Sequence, residues 1–310
     1  MDAGAATSTR ARWSSTQNRF IRFAMLMGHE QFVPTSPLLL ILWCTHLHGE
    51  GKPWASIRQY IDGVNNMNVG FGFEKPWSGA YAYLAHRFRR GLIALSIPSQ
   101  AKLPITADVM RAMWEVLPLT QMASTCWCAA VLLFFLGVRV GNVLPPASTR
   151  VAMVVKYDGV DILDEGDRAL VTLPYTKTVR QPVHRFVFAA GEEQFCPLQA
   201  LFSLTLAHGD QQQGGVPLVL HPGTGKPLTS AVFVAEVRRW MQLVPGLDGS
   251  RYSGVSFRKG TLQELARAGV SRPDIALQAT HSNMQSQQHY ITLDEGVQQV
   301  NAVHLAALFQ

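Results

Sequence analysis

The chain is predicted to be mainly helical with a small β-sheet, an α+β architecture, and three observations carry that prediction. A continuous apolar run from Cys126 to Val138 (CWCAAVLLFFLGV) has the length and composition of a buried helix. Apolar residues recur at helical spacing at Ile57, Tyr60, Ile61 and Val64, and again at Val109, Met110, Met113, Trp114 and Leu117. Two segments, 168–173 and 183–189, are rich in Val, Leu and Phe and bounded by Gly, Pro and Thr, which marks strands. At 310 residues and 47% apolar composition, the chain can bury one large core or two ordinary ones.

Taken in order, the first 22 residues are rich in Ala, Ser, Thr and Arg with Asp2 the only acid, and are expected to be a disordered basic tail without an apolar signal core. Residues 23–98 then read as a helical domain. Within it, 38–48 (LLLILWCTHLH) is mostly apolar, and Ser56 with Gln59 predicts a capping box ahead of the Ile57–Val64 stripe. A helix from Ala80 to Leu95 carries Arg87, Arg89 and Arg90. Residues 99–105, inside SIPSQAKLPIT, combine proline with a lack of periodicity and are expected to be a linker. A second domain, 106–310, opens with Thr106 as a helix cap.

The apolar helix ends at Gly137, Arg139 emerges in GVRVGN, and Pro145-Pro146 stops regular structure. Lys177 lies between the two strands in PYTKTVRQP. From Ser256 the pattern is helical again, with Leu262 and Leu265 on one face, a stop at Gly269, Pro273 in a new first turn, and an amphipathic helix after Tyr290.

Several functions are excluded. The longest apolar run falls short of a membrane span. Cys44, Cys126, Cys128 and Cys196 have neither a disulfide framework nor zinc-ligand spacing and read as buried thiols. GTGKPLTS at 223–230 lacks the first glycine of a phosphate loop and places Pro227 after its lysine, so it is a turn. Lys and Arg exceed Asp and Glu by 27 to 21, an excess that fits a polyanion-binding face.

Arg258 (in SFRKG), His281 (in HSN) and Tyr290, spaced 23 and 9 residues apart, can place a cation, a hydrogen-bond donor and a phenol around one phosphate, and Arg139 in GVRVGN and Lys177 in TKT precede them in the chain. An Arg directly after so apolar a run is costly to bury without an anionic partner. The five residues, in this order and spacing, resemble the active site of tyrosine recombinases, the phage-integrase superfamily. SFRKG, AGV, HSN and the tyrosine, preceded by a helical domain and KLPIT, look most like the recombinases of eukaryotic mobile elements of the DIRS or Crypton type. The likeness spans roughly residues 40 to 300.

That resemblance implies an N-terminal helical core-binding (SAM-like) domain joined to a catalytic domain that ends in a helix docking on a neighbouring protomer. It implies Arg139 and Arg258 as a guanidinium clamp on a DNA phosphate, since a planar fork binds two oxygens and stays protonated. Tyr290 is then the nucleophile that forms a 3′-phosphotyrosine, Lys177 the acid for the leaving 5′-oxygen, and His281 a donor to a non-bridging oxygen. Arg58, Arg87, Arg89, Arg90 and Lys259 are the further DNA contacts expected. Double-stranded DNA is the partner, a homo-tetramer on DNA the working assembly, and the nucleus the compartment. No metal, nucleotide, other cofactor or membrane is called for.

The sequence departs from the family pattern at two positions. Val255 stands three residues before Arg258, where the family usually has His, and Asn142 stands where many relatives carry an acid. Two readings follow: an active strand transferase, and a DNA-binding protein descended from one. The last segment, 294–310, is expected to leave Val297, Val300, Val303 and Leu308 exposed for docking on a neighbour.

Overall fold

The computed structural model of the chain describes residues 7–96, 100–163, 166–174, 181–207, 214–278 and 295–310. The chain divides into two compact units, residues 1–100 and 101–310.

The first unit contains α1 (Thr7–Leu26), α2 (Pro37–Gly49), α3 (Trp54–Gly70) and α4 (Ala82–Leu95). Its core gathers Phe20 and Phe23 from α1, Leu40 and Trp43 from α2, and Ile57 and Val64 from α3. Residues 7–22 are therefore not the disordered tail their composition predicted. They are helical because Thr16 and Phe20 put one buried face on α3, where Gly63 leaves the room: a Cβ there would stand 2.6 Å from Thr16 Cγ2. Gln17 Nε2 also donates to Gly63 O at 3.2 Å. The expected capping box does not form. α3 starts earlier, at Trp54 after Pro53, and the Gln59 amide oxygen instead accepts from Arg12 Nη1 of α1 at 3.3 Å.

The second unit is built around α6 (Gln121–Leu136), buried along its whole length. Thr120 caps its start by accepting from Ala123 N at 3.1 Å, and Gly137 ends it in the left-handed region at φ 62°. α5 (Ala107–Glu115) precedes it, capped by Thr106 as expected. No helix of the described residues is long and apolar enough to cross a membrane.

A three-stranded antiparallel meander follows: β1 (Val160–Leu163), β2 (Arg168–Leu173) and β3 (Val183–Phe188). β2 and β3 match the two predicted segments to within a residue; β1, four residues with no buried position, carries no readable alternation. Ala169, Val171 and Leu173 face inward from β2, and Val183, Arg185 and Val187 from β3. Two helices not anticipated from sequence, α7 (Pro197–Leu206) and α8 (Ser230–Leu243), pack against α6. GTGKPLTS is the expected turn, closed by a bridge between Leu220 and Pro227, and its Thr229 caps α8.

Residues 101–105 are not a free linker. They run along α9 (Gly254–Arg267), with Leu103 N donating to Arg251 O and Ile105 N to Ser256 O, both at 2.9 Å. Gly260 permits this approach, since a Cβ there would lie 1.6 Å from Ile105 O. α10 (Arg272–Gln278) follows the left-handed Gly269.

The last helix, α11 (Glu295–Ala307), packs against β3, α9 and α6 of its own domain. Ala302, Leu305, Ala306 and Phe309 are buried in that packing, and the Phe309 ring stacks on Phe195 at 4.6 Å. Val300 and Val303 are exposed as expected, Leu308 is instead half-buried against the core, and the Val297 side chain lies outside the described residues.

Candidate active site

Arg139 follows Gly137 and the buried Val138, and a single 3₁₀ turn, Val140–Asn142, holds it at the end of α6. That turn is anchored from below: Asn142 is buried, its Nδ2 donates to Met153 O at 3.4 Å, and its carbonyl accepts from Val155 N at 2.8 Å. Arg258 projects from the second turn of α9. The two carriers meet at Gly254, where a Cβ would stand 2.6 Å from Val140 Cγ1, so the absence of a side chain lets the start of α9 close on the Arg139 turn. Ser253 and Ser256 cap that start reciprocally.

Arg258 is buried and Arg139 half-buried, and each has one guanidinium nitrogen shielded from solvent. Arg258 is 6% exposed, and both its Nη2 and the Nη1 of Arg139 are buried with no hydrogen-bond partner among the described residues. Burial first, and then the Arg139 charge, push Arg258 down to about 10 from an ordinary 12.5, which still leaves it protonated at neutral pH. Arg185 of β3 is likewise pushed down to about 10, by burial and then by Arg258. Like charges held this close, each with a buried donor that has no partner among the described residues, create a region of positive potential.

Lys177, in the connection between β2 and β3, and His281 and Tyr290, between α10 and α11, lie outside the described residues. Their attachment points are defined: β2 and β3 flank the first, and Gln278 at the end of α10 stands three residues before His281. Val255 is 45% exposed on the first turn of α9.

Of the predicted DNA contacts, Arg58 on α3 and Arg87, Arg89 and Arg90 on α4 are exposed and enter no ion pair among the described residues. The Arg87 guanidinium lies 6.0 Å from the Tyr83 ring centroid and that of Arg89 5.9 Å from the Trp54 centroid. Lys259 is exposed, and its Nζ donates to Lys102 O at 2.8 Å, fastening residues 101–105 to α9.

No protein-family model and no curated protein matches the chain. Solved structures do. The Tn1549 transposon integrase in complex with transposon right end DNA superposes with a TM-score of 0.61 at 12% identity, over 98% of this chain and 96% of that one. XerH site-specific recombinase bound to its difH substrate gives 0.56 at 10% identity, covering 90% and 75% of the two chains. A lambda integrase dimer bound to a core site gives 0.55 at 15% identity, covering 92% and 72%. The fold is that of the tyrosine recombinases. At such identities the tyrosine-recombinase likeness lies in the path of the chain, and the eukaryotic-element subtype is no part of it.

Within this tyrosine-recombinase fold, two residues of the arginine cluster escaped the sequence reading, Arg185 and Gln278. A signal for the first was present. In VHRFVF the inward positions of an alternating strand are Val, Arg and Val, and a charge on an apolar stripe departs from the pattern. Gln278 had no signal, because its importance lies in bonds to Leu136 and Arg185, remote in sequence.

Proposed function

We propose that the chain is a site-specific DNA recombinase that cleaves and rejoins duplex DNA through a 3′-phosphotyrosine on Tyr290. The observation that carries this reading is that Arg139 and Arg258, each with one buried guanidinium nitrogen that has no partner among the described residues, stand on elements that close on each other at Gly254 in the tyrosine-recombinase fold. A DNA phosphodiester supplies the oxygens these donors lack, and two forks aimed at one phosphorus meet the charge that builds up as it becomes pentacoordinate. The Tyr290 phenol gives up its proton to water as its oxygen attacks phosphorus, the bond to the 5′-oxygen breaks, and that oxygen takes a proton from Lys177, which regains one from solvent. A 5′-hydroxyl from another strand later attacks the phosphotyrosine and regenerates the phenol. His281 donates to a non-bridging oxygen. The chemistry uses neither nucleotide nor metal.

DNA complexes among the structural relatives support a duplex partner for this chain, with the exposed arginines of α3 and α4 as phosphate contacts. A homo-tetramer on two duplexes, a DIRS- or Crypton-type mobile-element origin and a nuclear location belong to the same proposal.

A second reading, a recombinase-derived protein that binds DNA without cutting it, is favoured by Val255. An exposed isopropyl group on the first turn of the Arg258 helix can neither donate nor accept a proton. Trapping on nicked duplexes that prevent religation separates the two. A denaturation-resistant adduct that disappears in Tyr290→Phe is the expected result. Salt-sensitive binding with no adduct, together with an adduct appearing only in Val255→His, selects the second reading.

A further inference from the structure

Arg185 occupies the centre of an apolar stripe. Val183 and Val187 flank it on the inward face of β3, Val171 stands opposite it in register, and it is 1% exposed. Burial of a guanidinium at such a position is costly compared with an aliphatic side chain of similar volume, so sheet packing does not account for the residue type. Two of its hydrogen bonds point elsewhere. Nη1 donates to His184 O at 3.1 Å, and Nη2 reaches Gln278 O at 3.3 Å, at the end of α10.

Gln278 is itself buried, and its Nε2 donates to Leu136 O at 3.2 Å, at the end of α6 and three residues before Arg139. From the other side Thr261, one turn beyond Arg258 on α9, donates to Phe134 O of α6. The two packings converge at Gly137, where a Cβ would meet Thr261 Cγ2 at 3.1 Å and Gln278 Cγ at 3.5 Å. One small set of contacts thus ties together the carriers of Arg139, Arg258 and Arg185. The Arg185 and Arg258 charges are close enough to perturb each other.

We propose that Arg185, linked to Gln278, is a positioning residue of the Arg139–Arg258 oxyanion site: too buried to touch a phosphate, it raises the positive potential behind Arg258 and fastens to β3 the end of α10, whose Gln278 side chain in turn holds the end of α6, three residues before Arg139. The inference rests on reading Arg139 and Arg258 as a phosphate clamp. A cation fixed by carbonyls behind the clamp strengthens anion capture without reorganising when the anion arrives.

The test is calorimetric titration of the full chain with sodium tungstate, a tetrahedral dianion, at constant ionic strength, with thermal unfolding recorded without the ion. The parent protein binds tungstate and Arg139→Gln does not. Arg185→Met and Arg185→Gln, both without the charge, bind about tenfold more weakly while unfolding cooperatively, and Arg185→Lys stays within about threefold of the parent. Arg185→Gln retains a donor for Gln278 O and decides the matter if Arg185→Met does not fold.

A purely structural Arg185 lowers ion-free stability and leaves tungstate affinity unchanged in whichever neutral variant folds; that outcome overturns the proposal. So does an Arg185→Lys variant as weak as the neutral ones. Absence of Arg139-dependent tungstate binding in the parent sinks the phosphate-clamp reading and this inference with it, whereas failure confined to the Arg185 variants leaves that reading standing.

Discussion

Single residues carry most of what is chemically distinctive here. Arg139 and Arg258 were legible because a charge after an unbroken apolar run, and another in SFRKG, are conspicuous in a chain with only 15% charged residues. Their proximity was not legible, since it depends on Gly254 making way for Val140. Gly254→Ala is therefore expected to cost about 1–3 kcal/mol in urea unfolding, with part of the loss recovered in the Gly254→Ala/Val140→Ala double variant. No recovery would mean that the glycine serves something other than this contact. The thiols give a second check. Burial pushes Cys44 and Cys126 up to about 12 and Cys128 to about 11, from an ordinary 9.0. Their protonated forms are favoured by folding, so the stability they contribute is fully present below pH 9 and is lost as pH rises from there through 11 to 12. Below pH 9 a disulfide reagent should modify the half-buried Cys196 of the native protein and reach the other three only on unfolding. Rapid modification of all four in the native state would contradict the burial.

Elements with a start signal and a single apolar face were readable. α5 and α6 announced themselves through Thr106, an unbroken core sequence and Gly137, and β2 and β3 through alternation between turn residues. α1 was not readable, because its buried face is spread thinly through Ser, Thr and Arg and has meaning only against α3. The capping box at Ser56 failed for a related reason: Pro53 had already set the helix start one turn earlier. α11 shows the same limit, since its pattern is amphipathic whichever copy it covers. Because Phe309 is fully buried among Phe134, Phe135 and Phe195, Phe309→Ala should cost about 3–5 kcal/mol in chemical denaturation. Deletion of residues 296–310 should lower the unfolding temperature of the chain even without DNA. A truncated protein as stable as the parent would show that the helix is dispensable to its own domain.

At the scale of the whole molecule, each unit has a core of its own. A fragment comprising residues 101–310 should accordingly unfold cooperatively by calorimetry, and a molten fragment would show that the two cores are interdependent. The net charge of +6 is modest, so duplex affinity must come from where the arginines stand. Log affinity should fall linearly with log salt at about −0.9 per phosphate engaged, and Arg87→Gln/Arg89→Gln/Arg90→Gln should flatten that slope by up to about three such units. An unchanged slope removes α4 from the interface. The path of residues 101–105 has a mechanical consequence. Leu103 and Ile105 are fastened to residues 251 and 256 in the same direction of travel, and Lys259 grips Lys102 from beside Arg258. Tension drawn along the chain from residue 100 is therefore delivered to the helix bearing Arg258 and to the turn before it, and is borne by several fastenings instead of one.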